Sequence, residues 1–240
     1  MKKLQLKHKE IMEFCLANSD NSIINKYSKY FKEGYKGYGI DTKIFESQKS
    51  IWLNLWSNDM TLDDYLDLGD ILMSTGLLEE ASFATFFIAS KKDEFSIETF
   101  DRIGKWLDKD IKNWATTDIL CMFVLCHFLI DKIISYEKLK EWTTSESEWK
   151  RRAVPVTLVV LIKNELKPID AINLIEPLML DDSEYVQKGI GTLLRGLWKE
   201  YPAEIENFLM KWKDKCGRII VQYSTEKMDK EYRRKFRKIK

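Results

Sequence analysis

The chain is poor in the residues that punctuate a backbone. Of 240 residues, ten are glycine and four are proline. A turn-rich β fold draws on both at every tight turn, so their scarcity points to helices joined by short connections. Cysteine and histidine are equally sparse. Cys15, Cys121, Cys126 and Cys216 contain no CxxC pair, and His8 and His127 form no HxxxH. The usual zinc spacings are therefore absent, and no metal or other cofactor is expected. Scattered, unpatterned cysteines suit reduced thiols in the cytoplasm. No apolar run reaches the length of a bilayer span; residues 119–130 are the longest candidate and read as a buried helix. The start, MKKLQLKHKEIMEF, carries lysines but lacks the apolar core followed by small residues that a secretory signal requires.

What is present is a globular composition: 45% apolar and 32% charged residues. The length suffices for a substantial core, and residues 1–240 are read as one domain. Net charge is only +1 but is unevenly placed. Residues 61–80 hold six acids and no Lys or Arg, whereas Lys227 to Lys240 hold eight basic residues against two acids. Such asymmetry points to an anionic partner; a solvated terminal helix is the alternative.

Helix signals recur along the chain. Thr61 with Asp64, and Ser145 with Glu148, have the spacing of N-caps with capping boxes. Pro168 and Pro202 sit where first helical turns would begin. Gly217 follows Lys213, Lys215 and Cys216 as a helix stop would. No segment alternates at period two, so the expected fold is all-α, with roughly a dozen helices and no sheet.

A weak internal period organises them. Segments starting at Glu79, Trp114, Trp149 and Tyr185 lie 35, 35 and 36 residues apart. Each reads as the second helix of a pair, the pattern of a HEAT-like or TPR-like solenoid with a concave groove. In this register Trp114, Trp149 and Tyr185 share one position, Arg152 and Lys188 lie three residues on, Asp118 four and Thr192 seven. Aromatics, cations and one acid gathered on one side suit a nucleic-acid backbone. For Trp149 and Tyr185, ordinary packing between helices is the preferred reading.

One acid stands out. Trp114 and Asp118 are four apart and stack on one helical face, and that face continues through Cys121, Leu125 and Phe128. A carboxylate on an apolar stripe is costly unless something polar or cationic meets it. Pairing with Arg152 as a buried structural ion pair is one answer. For Trp114, a place in the core is the plain alternative.

Three stretches carry a family resemblance: Asn113-Trp114-Ala115-Thr116-Thr117-Asp118, then Glu148-Trp149-Lys150-Arg151-Arg152-Ala153, then Tyr185-Val186-Gln187-Lys188-Gly189-Ile190-Gly191-Thr192-Leu193-Leu194-Arg195. In order, spacing and residue types they resemble the AlkD-type HEAT-like-repeat DNA glycosylases of the DNA alkylation repair family. The likeness runs from about Tyr27-Ser28-Lys29-Tyr30-Phe31, through Gly39-Ile40, to the basic tail. The resemblance implies an enzyme that excises cationic alkylated purines such as 3-methyladenine and 7-methylguanine from double-stranded DNA without requiring the base to be flipped; a monomer is the default expectation. It implies Asp118 as the catalytic carboxylate and Trp114 packed beside the deoxyribose. It implies that Arg152 holds the backbone near the lesion and that Lys188 and Arg195 line the same groove. At one position the sequence departs: Thr192 stands where the family pattern has a second tryptophan, leaving one indole wall instead of two. Some members of the wider family bind DNA without measurable excision. A non-catalytic DNA-binding scaffold and a protein-interaction solenoid therefore remain the alternatives.

The implied chemistry is coherent. An alkylated purine is already cationic, so its glycosidic bond is weak, and breaking it leaves positive charge on the sugar. A fixed carboxylate stabilises that charge and orients a water to trap it. At about 4 Å and an effective dielectric near 20, such a pair is worth on the order of 4 kcal/mol, roughly a thousandfold in rate. An indole face beside the sugar adds attraction to the developing cation.

Overall fold

The computed structural model describes residues 2–164 and 166–238, and these are all-α, with no strand among them. Lys240, one of the tail cations, lies outside the described residues. The chain divides into two compact units, Met1–Val124 and Leu125–Lys240.

The first unit holds α1 (Lys2–Ala17), α2 (Asn21–Ser28), α3 (Thr42–Trp56), α4 (Leu62–Ser74), α5 (Leu78–Ala89), α6 (Ile97–Lys109) and α7 (Trp114–Leu120). Its core is aromatic. Trp52 stacks on Trp56 with centroids 5.2 Å apart, and Phe83 and Tyr65 lie against Phe87 at 6.0 and 5.5 Å. α5 is the central element, packed against α1, α3, α4 and α7.

The second unit holds α8 (Cys126–Ile130), α9 (Tyr136–Lys140), α10 (Glu148–Leu161), α11 (Pro168–Ile175), α12 (Glu184–Trp198), α13 (Pro202–Trp212) and α14 (Arg218–Ser224). α12 is its spine, with α10 and α14 packed against it. One π turn, Cys121–Leu125, lies between α7 and α8 in the sequence.

The 35-residue period corresponds to helix pairs. Glu79 lies on α5, Trp114 opens α7, and Trp149 and Tyr185 are the second residues of α10 and α12. Each of these helices follows a partner, α4, α6, α9 or α11. The later helices of successive pairs also pack on one another, α5 on α7 within the first unit and α10 on α12 within the second. That nearest-neighbour stacking is what makes a repeat architecture from a degenerate sequence period.

The helix ends test the local reading. Thr61 caps α4 with Asp64 reciprocating, both bonds at 3.1 Å. Replacing that hydroxyl in Thr61→Ala removes a cap worth about 1 kcal/mol, so the melting temperature should fall by about 2–4 °C; no change would show the cap to be idle. Pro168 and Pro202 occupy the first positions of α11 and α13 as expected. Two caps sit elsewhere. Ser147, not Ser145, caps α10 and accepts from the Lys150 N–H, while Ser145 accepts from Ser147 N–H one step upstream. Gly217 is not a helix stop: α13 ends at Trp212, and Gly217 precedes α14 with φ −59°. Space rather than backbone conformation demands glycine there, because a Cβ would come within 2.2 Å of the Gln187 side chain.

Candidate active site

Asn113 starts α7. Its side-chain oxygen accepts from Thr116 N–H at 2.8 Å and its carbonyl accepts from the Thr117 hydroxyl at 2.9 Å. That cap places Trp114 at the first helical position, half-buried, and Asp118 one turn further on, also half-buried. The indole is held on two sides. Its ring stacks on Phe31 with centroids 5.4 Å apart and planes at 26°, and its Nε1 donates to the Tyr30 carbonyl at 3.1 Å.

The apolar stripe expected through Trp114, Asp118, Cys121, Leu125 and Phe128 is not uniform. Cys121, Leu125 and Phe128 are fully or almost fully enclosed, whereas Trp114 and Asp118 reach solvent. The π turn Cys121–Leu125 contains the first two of the enclosed residues. The run 119–130 is not buried throughout: Met122 and Phe123, inside that turn, are exposed. Asp118 is therefore partly accessible one turn from the indole, rather than fully enclosed.

The segment that holds Trp114 is itself held by a carboxylate. Residues 29–41 form neither helix nor strand. Glu79, 7% exposed in the first turn of α5, accepts from the Tyr35 hydroxyl at 2.9 Å and from the N–H groups of Tyr38, Gly39 and Ile40 at 2.9, 2.8 and 3.3 Å. Tyr35 in turn sets its ring edge against Phe31 at 5.3 Å. Burial first, and then the Glu79 charge, pushes the Tyr35 phenol well above its ordinary range, so it stays a donor. Gly39 has φ +71°, and a Cβ there would strike the Asp20 carbonyl at 2.6 Å. The neighbouring Glu80, 1% exposed, accepts from the Tyr38 hydroxyl at 2.7 Å and lies 3.4 Å from His8 Nε2. Neither acid was assigned a role from its place in the sequence. Their signal was two carboxylates opening an otherwise apolar helix, which is costly unless donors surround them.

In the second unit, α12 presents a strip. Tyr185, Lys188, Thr192 and Arg195 are half-buried, while Val186, Gln187, Gly189, Ile190, Gly191, Leu193 and Leu194 are buried. Lys188 Nζ lies 3.6 Å from Glu184 and 5.4 Å from the Tyr185 ring centre. Arg195 pairs with Glu226 rather than with Glu200 or Glu204. Tyr185 also packs on Trp149, centroids 4.8 Å apart, as expected for packing between helices. The run before α12's partner is not a solvated face. Arg151 grips Asp181 through Nε and Nη2, and Arg152, 7% exposed, donates to the Tyr185 carbonyl and so ties α10 to α12. Gly189 and Gly191 bring the neighbouring helices close: a Cβ at Gly191 would stand 2.4 Å from Tyr223 Cβ. Gly191→Ala should cost about 1–3 kcal/mol through forced separation of α12 and α14, read as a lowered urea midpoint; an unchanged midpoint would mean the helices part freely.

The profile of the DNA alkylation repair enzymes matches residues 12–228, nearly the whole chain. The chain belongs to the DNA alkylation repair enzyme family. Solved structures of similar fold include AlkD2 from Streptococcus mutans, with TM-score 0.58 and 22% identity over 86% of this chain and 97% of that one. A second is smu.31 from Streptococcus mutans UA159, with TM-score 0.59 and 21% identity over 86% of this chain and 98% of that one. No curated protein matches significantly. Membership assigns the chain to DNA alkylation repair and its fold to the HEAT-like helical repeats of those neighbours. No helix among the described residues is long and apolar enough to cross a membrane.

Proposed function

We propose that this member of the family is a DNA N-glycosylase, with residues 1–240 as its DNA-binding domain and a preference for cationic alkylated purines such as 3-methyladenine and 7-methylguanine in duplex DNA. One observation supports it above the rest: the Asp118 carboxylate is half-exposed one turn beyond an indole immobilised by Phe31 and Tyr30. A cation forming at the deoxyribose would meet a fixed negative charge and a π face together. The leaving group is a neutral alkylpurine, so little general-acid assistance is needed.

Lys188 and Arg195 are proposed to contact backbone phosphates from the α12 strip, with Thr192 between them. Both cations pair with exposed acids, Glu184 and Glu226, which a phosphate would have to displace. Arg152 is proposed to act from behind that strip by fixing α12 against α10, since its side chain is buried and bonded to a carbonyl.

The test is release of free 3-methyladenine or 7-methylguanine from methylated duplex DNA, followed by chromatography under single-turnover conditions. Absence of release across a broad panel of alkylated substrates would sink the reading. A second reading, a DNA-binding scaffold without excision, is favoured by Thr192 alone, which supplies no aromatic wall. It expects salt-dependent duplex binding that survives Asp118→Asn together with no release by the intact protein.

A further inference from the structure

The charge asymmetry of the C-terminus has a structural consequence. Beyond α14 the chain does not trail into solvent. Met228 and Phe236 are buried, Tyr232 and Lys235 bond to Glu206 at 2.8 and 2.7 Å, and Lys213 Nζ donates to the Arg237 carbonyl at 3.4 Å. The folded-back tail walls a cavity of about 570 Å³ against α14 and the turn before it. Lys213, Arg218, Arg233, Arg237 and Lys238 line that cavity, and no acid does.

The cations are only partly balanced from within the protein. Lys213, its side chain 6% exposed, pairs with Asp214 at 2.8 Å. Arg218, Arg233, Arg237 and Lys238 make no ion pair with an acid among the described residues. Asp229 offsets part of the Arg233 charge, but positive charge still predominates around the cavity, and an anion of high charge density relieves the repulsion among these groups. Guanidinium forks match the oxygens of a phosphate in pairs. The volume exceeds what bare phosphate needs and lies in the range of small-molecule sites, and Phe236 and Val221 give it an apolar wall.

We propose that this cavity is a phosphate-ester site of nucleotide size. Two sources offer that chemistry: a free mononucleotide, or the terminal phosphate of a DNA strand. Its lining shares no residue with Asp118 and Trp114, and its occupation does not depend on excision, so loss of one reading leaves the other intact.

Calorimetric titration distinguishes the sources. Deoxyadenosine monophosphate and deoxyadenosine are titrated alone; separately, a short blunt duplex is compared with and without 5′-phosphates. Binding of the nucleotide but not the nucleoside, weakened by about tenfold or more in Arg218→Glu with Arg237→Glu, supports a free-nucleotide site. Tighter binding of the phosphorylated duplex by a similar factor, abolished in the same variant, supports a strand-end site. If neither the nucleotide nor the 5′-phosphate contributes binding that these arginines control, the proposal is overturned. Both side chains belong to exposed residues, and far-UV circular dichroism checks the fold. Should the double variant melt early, Arg218→Gln alone carries the same comparison, with an expected loss of about threefold.

Discussion

Asp118→Asn should lower single-turnover excision of 7-methylguanine by roughly a thousandfold while leaving duplex affinity within about twofold. The substitution keeps the size of the side chain and removes only its charge. What is lost is attraction between a carboxylate and a sugar that becomes cationic as the glycosidic bond breaks, on the order of 4 kcal/mol at about 4 Å and an effective dielectric near 20. Ground-state DNA carries no cation on that sugar, so binding is hardly touched and the loss falls on the chemical step. The half-exposed position of Asp118 bears on the magnitude. Water screens the carboxylate in the free protein, and its full effect develops only when DNA covers the face and excludes solvent. Trp114→Ala should cost less in rate and more in affinity, because an indole contributes contact in both states. A variant Asp118→Asn that releases base at the parent rate would remove the carboxylate from the mechanism.

Much of this was legible from residue order. Few glycines and prolines, capping residues and a 35-residue spacing gave helical pairs, because each rests on local backbone rules that tertiary contacts seldom override. The half-buried strip on α12 was legible too, since a helix interior turns through 100° per residue wherever it is regular. Two features escaped for physical reasons. The π turn after Leu120 changes that angle, and no residue in Cys121-Met122-Phe123-Val124-Leu125 announces it. The Arg151 and Arg152 partners lie about thirty residues away in sequence, on Asp181 and the Tyr185 carbonyl, so spacing alone did not reveal them. Asp118 itself was found by its incongruity, but the 29–41 segment that steadies its indole neighbour carries no periodic signal. Only two of its three glycines, at positions 37 and 39, hint at close approach.

That segment sets the largest expected stability effect in the chain. Glu79→Ala should lower the melting temperature by about 10 °C or more, and Glu79→Gln by about half as much. In the native protein one buried carboxylate collects four donors, three of them backbone N–H groups of a stretch with no ladder of its own. Hydrogen bonds to a charged acceptor contribute about 1.5–3 kcal/mol each, and a buried donor left without a partner costs about 1–3 kcal/mol. Glutamine keeps one acceptor oxygen, which serves Tyr35, Gly39 and Ile40, but turns an amide N–H₂ toward the Tyr38 N–H, so one bond becomes a donor facing a donor. Alanine strands all four and opens a void; these losses are not additive, but about 4 kcal/mol is a fair floor, and each kcal/mol moves the midpoint of a chain this long by about 2–4 °C. Gly39 closes off the alternative of shifting the loop, since its backbone conformation and the nearby Asp20 carbonyl fix where the chain can run. The consequence reaches the candidate site through contact: Glu79 positions Tyr35, Tyr35 packs on Phe31, and Phe31 stacks on Trp114. Hydrogen exchange should therefore quicken at residues 30–40 and at the Trp114 indole N–H in Glu79→Gln, with α12 protection unchanged. An exposed control such as Glu13→Gln should move neither quantity. If Glu79→Gln melts like the parent and exchange at Trp114 is unaltered, the indole is held by α7 alone and the buried carboxylate has no part in placing it.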